Sequence, residues 1–160
     1  MRKINQIIIH HAEAPGGDAA MIKEWHTSPS ATDPSKPWRD IGYHFVICNG
    51  KPHGNYKAGM DGLVQEGRPV TTPGAHARWS NSDSIGICLI GNFEEDKPTV
   101  KQLQTLAYLV VELCGKYELN PFTAIKGHRD VCNTSCPGKY LYPWLLSLKV
   151  FAEAMLWYGK

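Results

Sequence analysis

The chain has no run of five Lys or Arg residues, no Cys-x-x-Cys pair, no internal repeat and no apolar stretch near the ~18 residues of a membrane span. Each absence excludes something. Without a basic cluster, and with a net charge of only +2, a nucleic-acid partner has no electrostatic footprint to rest on, although a weakly basic cleft for an acidic substrate stays compatible. Without paired cysteines, a closed structural zinc site is not expected. Five cysteines are an odd number, and Cys48, Cys88 and Cys114 sit in apolar runs where a free thiol behaves as a small hydrophobe, so no disulfide framework is expected. The only early apolar run, Ile7-Ile8-Ile9, falls far short of the roughly 7–15 residues of a secretory signal, which predicts synthesis in the cytoplasm without a signal peptide. What remains, 160 residues of which 42% are hydrophobic and 20% charged, suits one domain over residues 1–160 that buries roughly 70% of its unfolded surface.

Residues 4–10 are rich in β-branched side chains and predict a buried strand, followed by a Pro15-Gly16-Gly17 turn and a helix over 18–26. Residues 28–40, with three prolines, read as a loop, and 43–48 as a second strand. Asn49-Gly50 is a hairpin signal leading into a third strand, and 61–82 is a long polar segment of the kind that tends to carry function. Residues 84–91 predict a fourth strand, apolar on both faces and so central. Thr99 with Gln102 makes a capping box, after which Leu103, Leu106, Ala107, Val110, Cys114 and Tyr117 recur at helical spacing. A short strand over 123–126 delivers His128, and a last helix runs over 143–158 with Leu141, Trp144, Leu145, Leu148, Phe151 and Met155 as a core stripe. This stripe lacks the basic polar face of a membrane binder. Strands interleaved with helices indicate an α/β fold, a central mixed β-sheet flanked by helices.

His128 and Cys136 lie eight positions apart on one loop that ends in Pro137-Gly138. With a histidine from the end of the first strand they form a three-ligand set that leaves a fourth zinc position open, the arrangement of a catalytic centre. His10 and His11 point to opposite faces of a strand, so only one of them joins, and periodicity does not decide which. In the long loop, His76 reads either as a cleft-wall residue that meets substrate or as a solvent histidine; Asn81 either meets substrate or serves a turn. Arg78 and Trp79 suit an acidic peptide through charge and an apolar platform, or are a surface charge and a packing indole. Asp130 either orients a ligand imidazole or pairs with Arg129.

Ile8-Ile9-His10-His11, Gly42-Tyr43-His44-Phe45, Gly74-Ala75-His76-Ala77, Asn81 with Ser84-Ile85-Gly86-Ile87, Gly91-Asn92 and Gly127-His128-Arg129-Asp130 through Cys136-Pro137-Gly138 occur in this order. The set resembles the type-2 N-acetylmuramoyl-L-alanine amidases, which include small phage amidase lysozymes and animal peptidoglycan recognition proteins. The resemblance spans about residues 4–145. It implies the single-domain fold of that family, one zinc ion held by His10, His128 and Cys136, and a role for Tyr43 at the developing oxyanion. His11 would then point into the core or bond a backbone carbonyl. Thr134 falls where the resemblance places a lysine in phage enzymes and threonine in many recognition-type amidases, a hydroxyl in place of a positive charge. Cys88 stands where the branch that recycles wall fragments carries a glutamate, and that branch uses an aspartate as third ligand.

The implied activity is zinc-dependent hydrolysis of the amide between N-acetylmuramic acid and L-alanine of the stem peptide in peptidoglycan. The implied setting is a phage or prophage endolysin, a monomer with neither nucleic-acid nor membrane partner, which acts on the cell wall after release. The competing readings are a non-catalytic peptidoglycan-binding module and a cytoplasmic wall-fragment recycling amidase.

Overall fold

Every side chain of strand β1 (Gln6–His11) from Ile7 onward is buried, which requires cover on both faces of the sheet that holds it. The computed structural model describes residues 2–33 and 37–159. Its sheet contains β1, β2 (Phe45–Asn49), β3 (Asp61–Glu66), β4 (Ser84–Leu89) and β5 (Ile125–Gly127) in the order β3-β2-β4-β1-β5. β4 lies parallel to β1 and β2, β5 lies parallel to β1, and β3 runs antiparallel to β2 at the edge. The expected central place of the fourth strand is what the structure has, with all six of its residues buried.

Side-chain alternation divides the sheet into two faces. Ile7, Ile9, Ile47, Ile85, Ile87 and Leu89 point to one face and pack against Leu106, Leu109, Val110 and Leu113 of α2 (Val100–Lys116) and Leu148 and Ala152 of α4 (Trp144–Tyr158). Each such aliphatic side chain contributes about 1.5–3 kcal/mol of burial. The opposite face is thinner: Val46, Cys88 and Ile90 pack with Ile41 and with Ile22 of α1 (Ala19–Thr27). α2 begins at the predicted capping box, Thr99 with Gln102. The fully buried Gln102 also donates to the carbonyls of Ile47 and Ile90, at 3.1 and 2.8 Å, and so ties the helix start to the middle of β2 and to the residue that follows β4.

Three expectations need correction, and a fourth falls partly outside the described residues. β3 does not follow Asn49-Gly50 directly: the Asn49 side chain bonds the Pro15 carbonyl and the Lys51 amide, and residues 50–60 make an excursion before the strand starts inside the segment expected to be loop. Residues 121–124 form the one-turn helix α3 (Pro121–Ala124), not a strand, because the Asn120 side chain caps the amides of Phe122 and Thr123; β5 starts at Ile125. In the last helix, Leu145 and Leu148 are buried, but Trp144 and Met155 stand exposed. Of the expected loop over 28–40, residues 34–36 lie outside the described residues. Among the described residues no helix is long and apolar enough to cross a membrane.

Candidate metal centre

β1 and β5 run parallel with Ile9 opposite Gly127, so the next residue of each chain, His10 and His128, emerges at the carboxyl end of the sheet. Ligands commonly meet open α/β sheets at that end. The two imidazole centroids are 4.4 Å apart. After β5 the chain turns sharply through His128–Asp130. The Asp130 carboxylate holds that turn, accepting from the Gly127 amide at 2.8 Å and the Tyr142 hydroxyl at 2.6 Å. Asp130 therefore braces the loop and neither orients an imidazole nor pairs with Arg129, as the sequence had offered. The Arg129 amide donates to the Cys136 carbonyl at 2.9 Å, and the Arg129 guanidinium reaches the Ser135 carbonyl and the face of Tyr142. These contacts return the loop so that Cys136 Sγ lies 3.7 Å from His10 Nδ1.

One donor atom each from His10, His128 and Cys136 lies within 4.8 Å of the other two. Zinc bonds of about 2.3 Å to sulfur and 2.0–2.1 Å to nitrogen at a tetrahedral angle separate the two donors by about 3.6 Å. The Cys136 to His10 distance matches that edge, so the residues fit the ion. The electrostatics fit as well. Burial, with the neighbouring His76, His128 and His11, holds His10 well below the usual imidazole range, and burial lowers His128 too, so both rings are neutral donors at pH 7. Burial pushes the Cys136 thiol up to about 12, against the His11 amide hydrogen bond to its sulfur. Metal uptake must therefore displace a thiol proton.

His11 points to the opposite face, as alternation requires. Its Nδ1 accepts from the Phe93 amide at 3.0 Å and its ring stacks on Phe93; of the two expected arrangements it takes the buried one, at 3% exposure, with an amide as the partner of Nδ1. Tyr43 precedes β2, with its ring centroid 5.1 Å from that of His10. Burial, with the Cys88 and Cys136 thiols beside it, raises its phenol well above the ordinary range, so it stays a hydrogen-bond donor. Thr134 Oγ1 accepts from the Cys136 amide at 3.2 Å. His76 is not a solvent histidine: only 8% exposed, it places Nδ1 3.0 Å from His10 Nε2. Asn81 Oδ1 accepts from the His76 and Ala77 amides at 2.8 and 2.9 Å. Arg78 and Trp79 form an exposed pair, the guanidinium 4.9 Å over the indole, with Trp79 at a φ of 72° and 86% exposed and so not a packing residue. The Arg78 carbonyl contacts Cys132 of the loop that carries His128 and Cys136.

Sequence reasoning missed the floor beneath these groups, made by Ser84, Gly86 and Cys88 on one face of β4 and by His44. The signal was present as Ser-x-Gly-x-Cys, small residues at every second position of a strand otherwise made of Ile and Leu.

A family model described as N-acetylmuramoyl-L-alanine amidase matches residues 1–139. The endolysin of Enterobacteria phage T3 is 33% identical over 128 residues, covering 77% of this chain and 71% of that protein. The N-acetylmuramoyl-L-alanine amidase LysC from Clostridium intestinale superposes with a TM-score of 0.74 at 30% identity, over 92% of this chain and 84% of that one. A crystal structure of peptidoglycan recognition proteins LCa and LCx with bound tracheal cytotoxin superposes with a TM-score of 0.70 at 30% identity, over 89% of this chain and 81% of that one.

Proposed function

Since the chain belongs to the N-acetylmuramoyl-L-alanine amidase family, we propose that it is a zinc-dependent peptidoglycan amidase of the endolysin kind, cutting between N-acetylmuramic acid and L-alanine of the stem peptide. The observation that carries this reading is the approach of His10 Nδ1, His128 and Cys136 Sγ to one another at the carboxyl end of the sheet. His10, His128 and Cys136 would hold one zinc ion, which supplies Lewis acidity that polarises an amide carbonyl and acidifies water. The chain's own residues do the rest. Three side chains as ligands leave the fourth direction to substrate and solvent. Tyr43, protonated and beside His10, donates toward the oxygen on which charge develops; one such donor is commonly worth about 3–4 kcal/mol. Thr134, its oxygen already accepting from the Cys136 amide, has a hydroxyl proton for the same oxygen.

The exposed Arg78 and Trp79 pair meets the stem peptide, the guanidinium for a carboxylate and the indole face for apolar surface. His76 and Asn81, engaged beneath, support the site from below. A muramyl peptide as ligand is supported by the tracheal cytotoxin complex of the related recognition proteins. Purified sacculi incubated with the protein, with and without a chelator, test the proposal. Free L-alanine amines that disappear on chelation and return with zinc are the expected result. Binding without new termini would make the chain a recognition module, and new reducing sugar ends would make it a glycosidase.

A further inference from the structure

We infer that His76 is a positioning residue for the metal centre: it accepts the Nε2 proton of His10 and thereby leaves the lone pair of His10 on Nδ1, the atom that faces Cys136. The inference rests on the zinc reading proposed above and adds to it the group that sets the donor atom of its first ligand. An imidazole is a metal ligand only through the nitrogen that bears no proton, and the hydrogen bond made by the other nitrogen decides which one that is.

The direction of each bond follows from the far end of the chain. The Ser80 carbonyl can only accept, and Ser84 Oγ donates to it at 2.5 Å. A hydroxyl has one proton, so toward His76 Ser84 is an acceptor. Its partner is His76 Nε2 at 3.4 Å, which therefore bears the proton of that ring. His76 Nδ1 is then bare. At 3.0 Å it accepts from His10 Nε2, and the lone pair of His10 is left on Nδ1, 3.7 Å from Cys136 Sγ. One backbone carbonyl at the other end of β4 thus determines a tautomer at the metal centre, through two imidazoles and a hydroxyl that all point one way.

The fold is shaped to hold this relay. A Cβ on Gly86 or on Gly74 would collide with the His76 ring, so the two glycines form the slot it occupies. Asn81 fixes the backbone of His76 through its amide, and Arg2 donates to the Asn81 and Ser84 carbonyls at 2.8 and 3.0 Å.

The test is equilibrium zinc affinity of the full chain, measured by competition with a chromogenic chelator. His76→Leu, which removes the acceptor, should weaken zinc binding by about 10- to 100-fold. His76→Asn, whose amide oxygen sits where Nδ1 does, should recover most of it, a rescue that mere filling of the slot would not give. Equal affinities for wild type and His76→Leu, or equal losses in the Leu and Asn variants, would overturn the inference. Zinc uptake by the Cys136→Ala variant equal to that of the wild type would instead remove the zinc reading. Should His76→Leu fail to fold, long-range proton–nitrogen NMR of the metal-free wild type decides: protons on Nε2 of both His10 and His76 are expected, and a proton on His10 Nδ1 contradicts the relay.

Discussion

On one face of the sheet β1 and β4 present Ile7, Ile9, Ile85, Ile87 and Leu89 to two helices; on the other the same strands present Ile8, His10, Ser84, Gly86 and Cys88. Both faces are buried, but they are held by different physics. The helix-covered face rests on apolar area, which is non-directional and tolerates a change of side chain in proportion to the atoms removed. The imidazole-bearing face holds His10, His44, His76 and Ser84 at 8% exposure or less, and polar groups survive there only when each finds a partner. Its geometry is therefore discrete. A ring either has its partner or lacks it, so a change of one atom is expected to act on the neighbouring imidazoles while the fold around them persists.

The comparison breaks most sharply at Cys136. Cys136→Ala removes one of the three proposed ligands but no part of the helix-covered face; stoichiometric zinc and amidase turnover should both be lost, while the melting temperature of the metal-free protein changes little. A fall in that melting temperature as large as a core truncation gives would erase the distinction. Next, Tyr43→Phe should leave zinc content intact and lower turnover by about 100- to 1000-fold, as loss of one oxyanion donor does elsewhere. Unchanged turnover would take Tyr43 out of the chemistry.

The polar face also predicts a pH dependence that the apolar face lacks. Burial lowers His44 to about 4, and its Nδ1 accepts from the Gly86 amide at 2.9 Å. Below pH 6.5 the unfolded chain takes up a proton there that the folded chain refuses until about pH 4. Stability is thus fully present above pH 6.5 and falls as pH drops toward 4, by up to about 3 kcal/mol from this one ring. His44→Asn keeps an acceptor for Gly86 and removes the titrating group, so urea unfolding from pH 7 to 4 should show a shallower decline than in the wild type. The smallest effect belongs to the other face: Ile87→Val should cost about 0.5–1.5 kcal/mol, with zinc affinity per folded molecule unchanged.

The two faces also differed in how far the sequence revealed them. Periodicity located β4 at the centre, the capping box of α2 and the apolar stripe on α2, because area and spacing are local properties of a strand or helix. The ordered motifs, through the family they resemble, pointed to His10, His128 and Cys136, which the structure brings together. What escaped was directional and non-local. That His76 lies under His10 depends on a loop folding back across β4: the alternating small residues Ser84, Gly86 and Cys88 mark a strand face with room above it, but not which side chain fills that room. The short helix α3 escaped because one side chain, Asn120, caps it. The displaced start of β3 escaped because Asn49 bonds Pro15, far away in sequence, and the chain does not turn at once.

The central claim is that two imidazoles and one thiolate, brought together by the register of β1 with β5 and by the return of the Cys136 loop, grip a single ion. X-ray absorption spectroscopy of the protein loaded with one equivalent of zinc tests it most directly. One sulfur at about 2.3 Å and two imidazole nitrogens at about 2.0–2.1 Å are expected, with the sulfur absent in Cys136→Ala. A first shell without sulfur in the wild type, or one with two, would contradict it.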